Sequence, residues 1–137
     1  MEKYMDKVHM LRKKTRKKIT YNDINDDYKL GRDYSEIGNP AKAAEVFEEV
    51  YKAALENADD ERCSDFAQLM PQFILNAYLK LYEECNNDHN VKMAMVYLEK
   101  LYKYSLIHYG PFHEYSITFW DMLTEARAKK KKGKKKK

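Results

Sequence analysis

The chain is 137 residues long, yet it contains only four glycines and three prolines. A β-sandwich of this length needs a turn roughly every 8–12 residues and would use more of both. The large apolar residues instead recur at spacings of three and four, which places them on one stripe of an α-helix. Sparse punctuation and helical periodicity together leave an all-α fold as the expectation.

The punctuation that exists divides the chain into segments. Residues 1–18 can form a helix with Tyr4, Val8 and Leu11 on one face, ending in the basic run Arg12–Lys18. Thr20, with Asp23 three residues on, has the form of a helix entry: the hydroxyl caps free N–H groups and the carboxylate suits the positive end of the dipole. A helix over about 22–37 carries Ile24, Tyr28, Gly31 and Tyr34. Gly38-Asn39-Pro40 ends it and starts the next, about 40–58, with Ala43, Ala44, Phe47, Val50, Tyr51 and Ala54. A segment over about 64–85 is expected to kink or split at Pro71. Helices over about 91–109 and 113–128 follow, separated by Gly110-Pro111, the last showing Ile117, Trp120 and Leu123 on one face. Antiparallel pairs joined by short turns are the building units of α-solenoids.

Charge is partitioned along the chain. Residues 1–19 hold 8 basic and 2 acidic residues (+6), 20–128 hold 10 and 20 (−10), and 129–137 hold 8 lysines (+8), so the net +4 hides an acidic body between two basic arms. A uniformly basic nucleic-acid-binding domain is excluded. The expected division is a basic arm over 1–19, a helical domain over 20–128 and a poly-lysine tail over 129–137.

One segment carries a recognisable pattern. Leu30-Gly31-x2-Tyr34, then Gly38-Asn39, then Ala43-x3-Phe47 resembles the core of a tetratricopeptide repeat. In that pattern the small residues sit where two helices approach and the large ones fill the groove between them. Asp27 stands where the repeat has tryptophan, and the closing proline is absent. A weaker copy has Tyr82 in the Tyr34 role, Asn86 at the turn and Ala94-x3-Leu98 as the small-then-large pair, with Leu79 where Gly31 would be. Trp120-x2-Leu123 fits a first helix without its partner, a capping helix. Tyr109-Gly110-x2-His113 resembles the inter-repeat linker of kinesin light chains and of the C-terminal helical domain of SET-and-MYND-type methyltransferases. No SET or MYND residues are present, so no methyltransferase activity is implied. The resemblance implies a short α-solenoid of antiparallel helix pairs, TPR-like, with a capping helix and basic terminal arms.

Catalytic and metal signatures are weak. His108 and His113 are five apart across a helix break, whereas a metal pair on one helix wants three or four. His113 fits better as a cap for the following helix. Asp23-x-Asn25-x-Asp27 has the opening of a calcium loop, but Tyr28 and Tyr34 replace the glycine and the bidentate glutamate. No GxxxxGK[ST], GxGxxG or GxSxG string occurs. Cys63 and Cys85 lack CxxC partners, so neither a disulfide scaffold nor a thiolate zinc site is expected. No cofactor is expected, and no enzyme activity.

The family resemblance implies a partner groove lined by the first helix of each pair, with Asn25, Tyr28 and Arg32 from one and Asn76, Lys80 and Glu83 from the next. This is not the Lys/Asn set that clamps a C-terminal carboxylate, so chaperone-tail binding is disfavoured. The arms, Arg12, Lys13, Lys14, Arg16, Lys17 and Lys18, with Lys129, Lys130, Lys131, Lys132, Lys134, Lys135, Lys136 and Lys137, are expected to be extended or disordered when free and to contact a polyanion such as RNA, acidic tubulin tails or anionic lipid. They could also fold back onto the acidic body. Neither run interleaves aromatics, so base stacking is not suggested.

The expected function is a non-catalytic adaptor subunit: the body docks a protein partner and the arms hold an acidic surface in a larger assembly. Two alternatives stay open, an RNA- or ribosome-associated protein anchored by the arms and a microtubule- or cilium-associated structural component. With no apolar run long enough to span a membrane and no signal-peptide core, the expected location is cytoplasmic, with nuclear or cytoskeletal residence as variants.

Overall fold

A computed structural model of the chain describes the backbone of residues 2–15 and 19–135 and the side chains of residues 2–12 and 19–129. Among these residues six helices follow in order: α1 (Glu2–Thr15), α2 (Tyr21–Glu36), α3 (Pro40–Glu56), α4 (Glu61–Asn87), α5 (Val91–Tyr109) and α6 (Glu114–Lys135). The protein is all-α, and its helices pack mainly with their neighbours in the chain. Two units divide it, Met1–Ala77 and Tyr78–Lys137, with α4 contributing its first part to one and its last part to the other.

In the first unit the helix boundaries follow from capping chemistry. The Thr20 hydroxyl accepts the Asp23 N–H at 3.3 Å, and the Asp23 carboxylate accepts the Thr20 N–H at 2.9 Å, a reciprocal capping box. Gly38 takes φ 82°, a left-handed turn that suits glycine, and Asn39 then caps α3 by accepting the Lys42 N–H at 3.1 Å. Pro40 follows at the first helical position, where its missing N–H costs nothing.

The α2–α3 contact is the tightest in this unit. A Cβ at Gly31 would lie 2.6 Å from Cε1 and 2.8 Å from Cδ1 of Phe47, so the ring occupies the space that any side chain at 31 would need. Tyr34, Ala43, Val46 and Phe47 around it are buried. The first part of α4 closes this core with Cys63, Phe66, Met70 and Ile74. Pro71 neither splits α4 nor shortens it: the helix runs unbroken from Glu61 to Asn87. Proline inside a helix costs about 3 kcal/mol, but Met70, Pro71 and Ile74 are buried on this turn, and that packing holds the helical path.

In the second unit Asn90 caps α5 by accepting the Met93 N–H at 3.2 Å, after His89 takes φ 58°. Gly110, at φ 87°, ends α5. His113 then caps α6: its Nδ1 accepts the Tyr115 N–H at 3.0 Å, while the Ser116 hydroxyl donates to the Gly110 carbonyl at 2.7 Å. The core here is Leu81, Ala94, Leu98, Leu101, Phe119 and Leu123.

On α1 the residues that share a face in the sequence are not the buried ones: Tyr4 and Leu11 are 72% and 60% exposed, whereas Met5 and His9 are buried. On α6 the buried stripe is Ser116, Phe119 and Leu123, with Ile117 and Trp120 about half exposed; Trp120 lies against Tyr102, ring centroids 5.2 Å apart. The α6 backbone also continues past Ala128 to Lys135 rather than ending in an extended tail. Alanine and lysine are good helix formers, and cations suit a helix C-terminus.

Gly31→Ala is expected to destabilise the protein by about 1–3 kcal/mol, because the added Cβ would overlap the buried Phe47 ring. A shift of the urea midpoint measures it. An unchanged midpoint would mean that α2 and α3 do not approach as closely as described.

Candidate interaction surfaces

The residues expected to line a partner groove fall out as follows. Tyr28 is half-buried inside an aromatic cluster, its ring 5.3 Å from Phe66, 5.5 Å from Phe73 and 6.3 Å from Phe47. The Arg32 guanidinium stands 5.9 Å from the Tyr28 ring and is exposed. Asn25 is half-buried on the same helix. Tyr28 and Arg32 are therefore brought together, but most of the tyrosine ring serves the core. Asn76, Lys80 and Glu83 are exposed along α4, and the Asn76 side-chain oxygen accepts from Gln72 at 3.1 Å. Asn76 belongs to the first unit, Lys80 and Glu83 to the second.

Helix α1 lies on the α2–α3 pair through a ladder of polar contacts. Glu2 accepts from the Asn39 amide, and Asp6 accepts from the Tyr34 hydroxyl. His9 Nε2 is 2.6 Å from the Glu49 carboxylate, and Arg12 donates to buried Asp27 at 3.1 Å, with Asp26 at 3.9 Å. Positions 2, 6, 9 and 12 follow the helical repeat, so one face of α1 carries every rung. Burial and then the Asp6 carboxylate push the Tyr34 hydroxyl well above the usual tyrosine value of 10. Asp27, in the position where the repeat pattern has tryptophan, is the partner of Arg12. Of the residues expected to meet a polyanion, Arg12 is thus committed to the body's own carboxylates. Lys13, Lys14, Arg16, Lys17, Lys18, Lys130, Lys131, Lys132, Lys134, Lys135, Lys136 and Lys137 have side chains outside the described residues, and Lys129 is exposed.

The second unit contains a groove that the sequence did not announce. About 560 Å³ of space opens between the end of α4, the start of α5 and the middle of α6. Tyr82, Val91, Met95, Met122 and Ala126 give it an apolar lining, and Asn86, Glu125 and Lys129 stand around it. Val91 is 66% exposed, high for a valine at the start of a helix. Tyr82, Met95, Met122 and Ala126 are half-buried. Periodicity within one helix cannot show such a feature, because it arises where three helices converge. The available signal was the pair Val91 and Met95, four residues apart yet outside the Ala94–Leu98 core stripe.

A smaller space of about 390 Å³ lies between the entry to α2 and the turn between α3 and α4, lined partly by Thr20, Asn22, Asp60 and Cys63. Its one strong feature is internal. Arg62 donates to both Asp60 oxygens at 3.2 and 3.0 Å and stacks 4.0 Å from the Tyr21 ring centroid. Hydrogen bonds from Arg62 hold the Asp60 carboxyl below the usual aspartate value. Burial pushes the Cys63 thiol up, which makes it a poor nucleophile. Among the described residues no group of three or more His, Cys, Asp or Glu side chains could hold a metal ion. No described helix is long and apolar enough to cross a membrane.

No family model, no curated protein and no solved structure matches this chain.

Two outcomes test the α1 ladder. A raised tyrosine pKa means that folding holds a proton the unfolded chain has released, so this part of the stability is complete below about pH 10 and is lost as pH rises above it. Tyr34→Phe is expected to lessen the alkaline loss of stability, measured as melting temperature against pH. Arg12→Met takes the cation away from a buried carboxylate and is expected to cost about 1–3 kcal/mol, most of it absent when Asp27→Asn is made in the same chain. Additive costs in that double-mutant cycle would show that the pair is not coupled.

Proposed function

We propose that the chain is a small tetratricopeptide-like adaptor that docks a protein partner without catalysing a reaction. The observation that carries this reading is the apolar groove of the second unit, where Tyr82, Met95 and Met122 are left partly open among three helices. Methionine is flexible and polarizable, and it suits surfaces that receive an apolar side chain from another chain. An apolar groove between helices can receive the anchor residues of an amphipathic helix or peptide, a recognised way for helical proteins to bind. Further support comes from the first unit. Gly31 lies directly against Phe47, and Tyr34, Ala43 and Phe47 are buried, which is compatible with the repeat pattern.

The basic arms have a separate role in this reading, which is to attract and retain the protein at an acidic surface. Counter-ion release would make that contact strongly salt-dependent and sequence-independent. Cytoplasmic, nuclear or cytoskeletal assemblies all offer such surfaces, including acidic tubulin tails and RNA.

The test pairs a groove variant with a nuclease control. Met95→Glu with Met122→Glu places two carboxylates in the groove while changing half-buried positions, so the helical circular-dichroism signal is expected to persist. Partners that co-purify with the full chain are expected to survive RNase treatment and to be lost with the double variant. Partners that disappear with RNase and are retained by the groove variant would favour an RNA- or ribosome-anchored protein instead.

A further inference from the structure

The outward face of α1 carries an inference independent of the groove. A residue advances about 100° around a helix. With Glu2, Asp6, His9 and Arg12 directed at α2 and α3, the opposite side of α1 consists of Lys3, Tyr4, Lys7, Met10 and Leu11. All five are exposed: Tyr4 at 72%, Leu11 at 60%, Met10 at 58%, and both lysines as well. The sorting of charge is complete along this stretch. Both acidic residues of α1, Glu2 and Asp6, are bonded inward, and both lysines before Arg12 point outward among large apolar side chains. A face meant only for water would mix the signs and omit the apolar residues. A core-facing stripe would omit the lysines.

We propose that this face of α1 is a docking surface for an anionic lipid bilayer. The charge of the face selects a negatively charged partner. Its form selects a bilayer over a folded acidic protein. A single helix turned outward is convex and provides no groove, and a bilayer interface can deform around side chains that a rigid surface would have to match one by one. Tyr4, Met10 and Leu11 would enter the headgroup–acyl boundary, while the Lys3 and Lys7 stems lie along it with their ammonium groups at the phosphates. The polar ladder makes this possible, because with Met5 it fixes α1 to the body and leaves Tyr4, Met10 and Leu11 outside. The basic run that continues from Arg12 to Lys18 in the sequence adds positive charge on the same segment.

Co-flotation of the full chain with vesicles tests the proposal, using phosphatidylcholine alone and phosphatidylcholine with about 30% phosphatidylserine. Binding is measured at low salt and at about 0.3 M salt, where simple attraction between a lysine run and lipid is largely screened. The wild-type chain is expected to remain on anionic vesicles at the higher salt and to leave neutral ones. Tyr4→Ser with Leu11→Ser is expected to lower that salt-resistant binding about tenfold, with the melting temperature unchanged because both side chains are exposed. Lys3→Glu with Lys7→Glu is expected to abolish the preference for anionic vesicles at the higher salt, where attraction by the other lysine runs is screened. The groove variant Met95→Glu with Met122→Glu should bind vesicles like wild type, which separates this proposal from the adaptor reading. Wild-type binding that disappears at the higher salt, equal binding to both vesicle types, or a Tyr4/Leu11 variant that binds unchanged would overturn it. So would capture of an acidic peptide by this face in a chain that ignores vesicles.

Discussion

The Phe47 ring fills the space beside Gly31, and the first unit is assembled around that contact. Because position 31 has no side chain, α3 can lie close enough to α2 for Phe47 to be almost wholly buried. Its ring then meets Tyr28 at 6.3 Å and Phe73 at 5.4 Å, and Tyr28 meets Phe66 at 5.3 Å, so the same contact draws the first part of α4 into place. Aromatic pairs at tilted and edge-on angles add specificity to area burial. A larger residue at 31 would act on all three helices at once. The proline in α4 is tolerated for the same reason: the turn that carries it is already held by buried neighbours.

The opposite principle governs α1. Hydrophobic burial fixes α2 and α3, whereas α1 is held mainly by polar and ionic rungs, with Met5 as its buried apolar anchor. Such rungs need defined partners, so they fix the rotation of the helix about its axis. They also contribute less net stability than apolar area, because each replaces bonds to water. The consequence is a helix whose rotation is fixed and whose Tyr4, Met10 and Leu11 remain outside.

This division explains which parts of the fold were legible in the sequence. The starts of α2, α3 and α5 could be read closely, because Thr20, Asn39-Pro40 and Asn90 are local signals whose meaning does not depend on the rest of the chain. The Gly31–Phe47 contact was legible because small and large residues alternated in a known pattern. The face of α1 was not, since amphipathicity assigns the apolar stripe to the core and cannot foresee that Tyr34, Glu49 and Asp27 offer a polar bed. Asp27 stands where the repeat pattern has tryptophan, and its role depends on Arg12, which comes from a different helix. On α6 the tryptophan drew the stripe one position away from Phe119, the residue that is buried. The groove in the second unit depends on three separate helices and leaves no periodic trace.

The net charge of +4 takes on a more definite meaning at this level. Charge is separated first along the chain, into basic ends and an acidic middle, and then across a single helix. Within α1 the acids and Arg12 are bonded inward and Lys3 and Lys7 face outward, so part of the N-terminal charge is neutralised against α2 and part is displayed. The two arms are therefore not equivalent devices. At the N-terminal end α1 presents Lys3 and Lys7 at helical spacing among exposed apolar residues, which allows recognition that depends on shape as well as sign. The poly-lysine sequence at the other end has no apolar residue interleaved with it, so charge is the only thing it can offer a partner. Salt should therefore distinguish them: attraction resting on charge alone is screened, while attraction that also buries Tyr4 and Leu11 retains a part that salt does not remove.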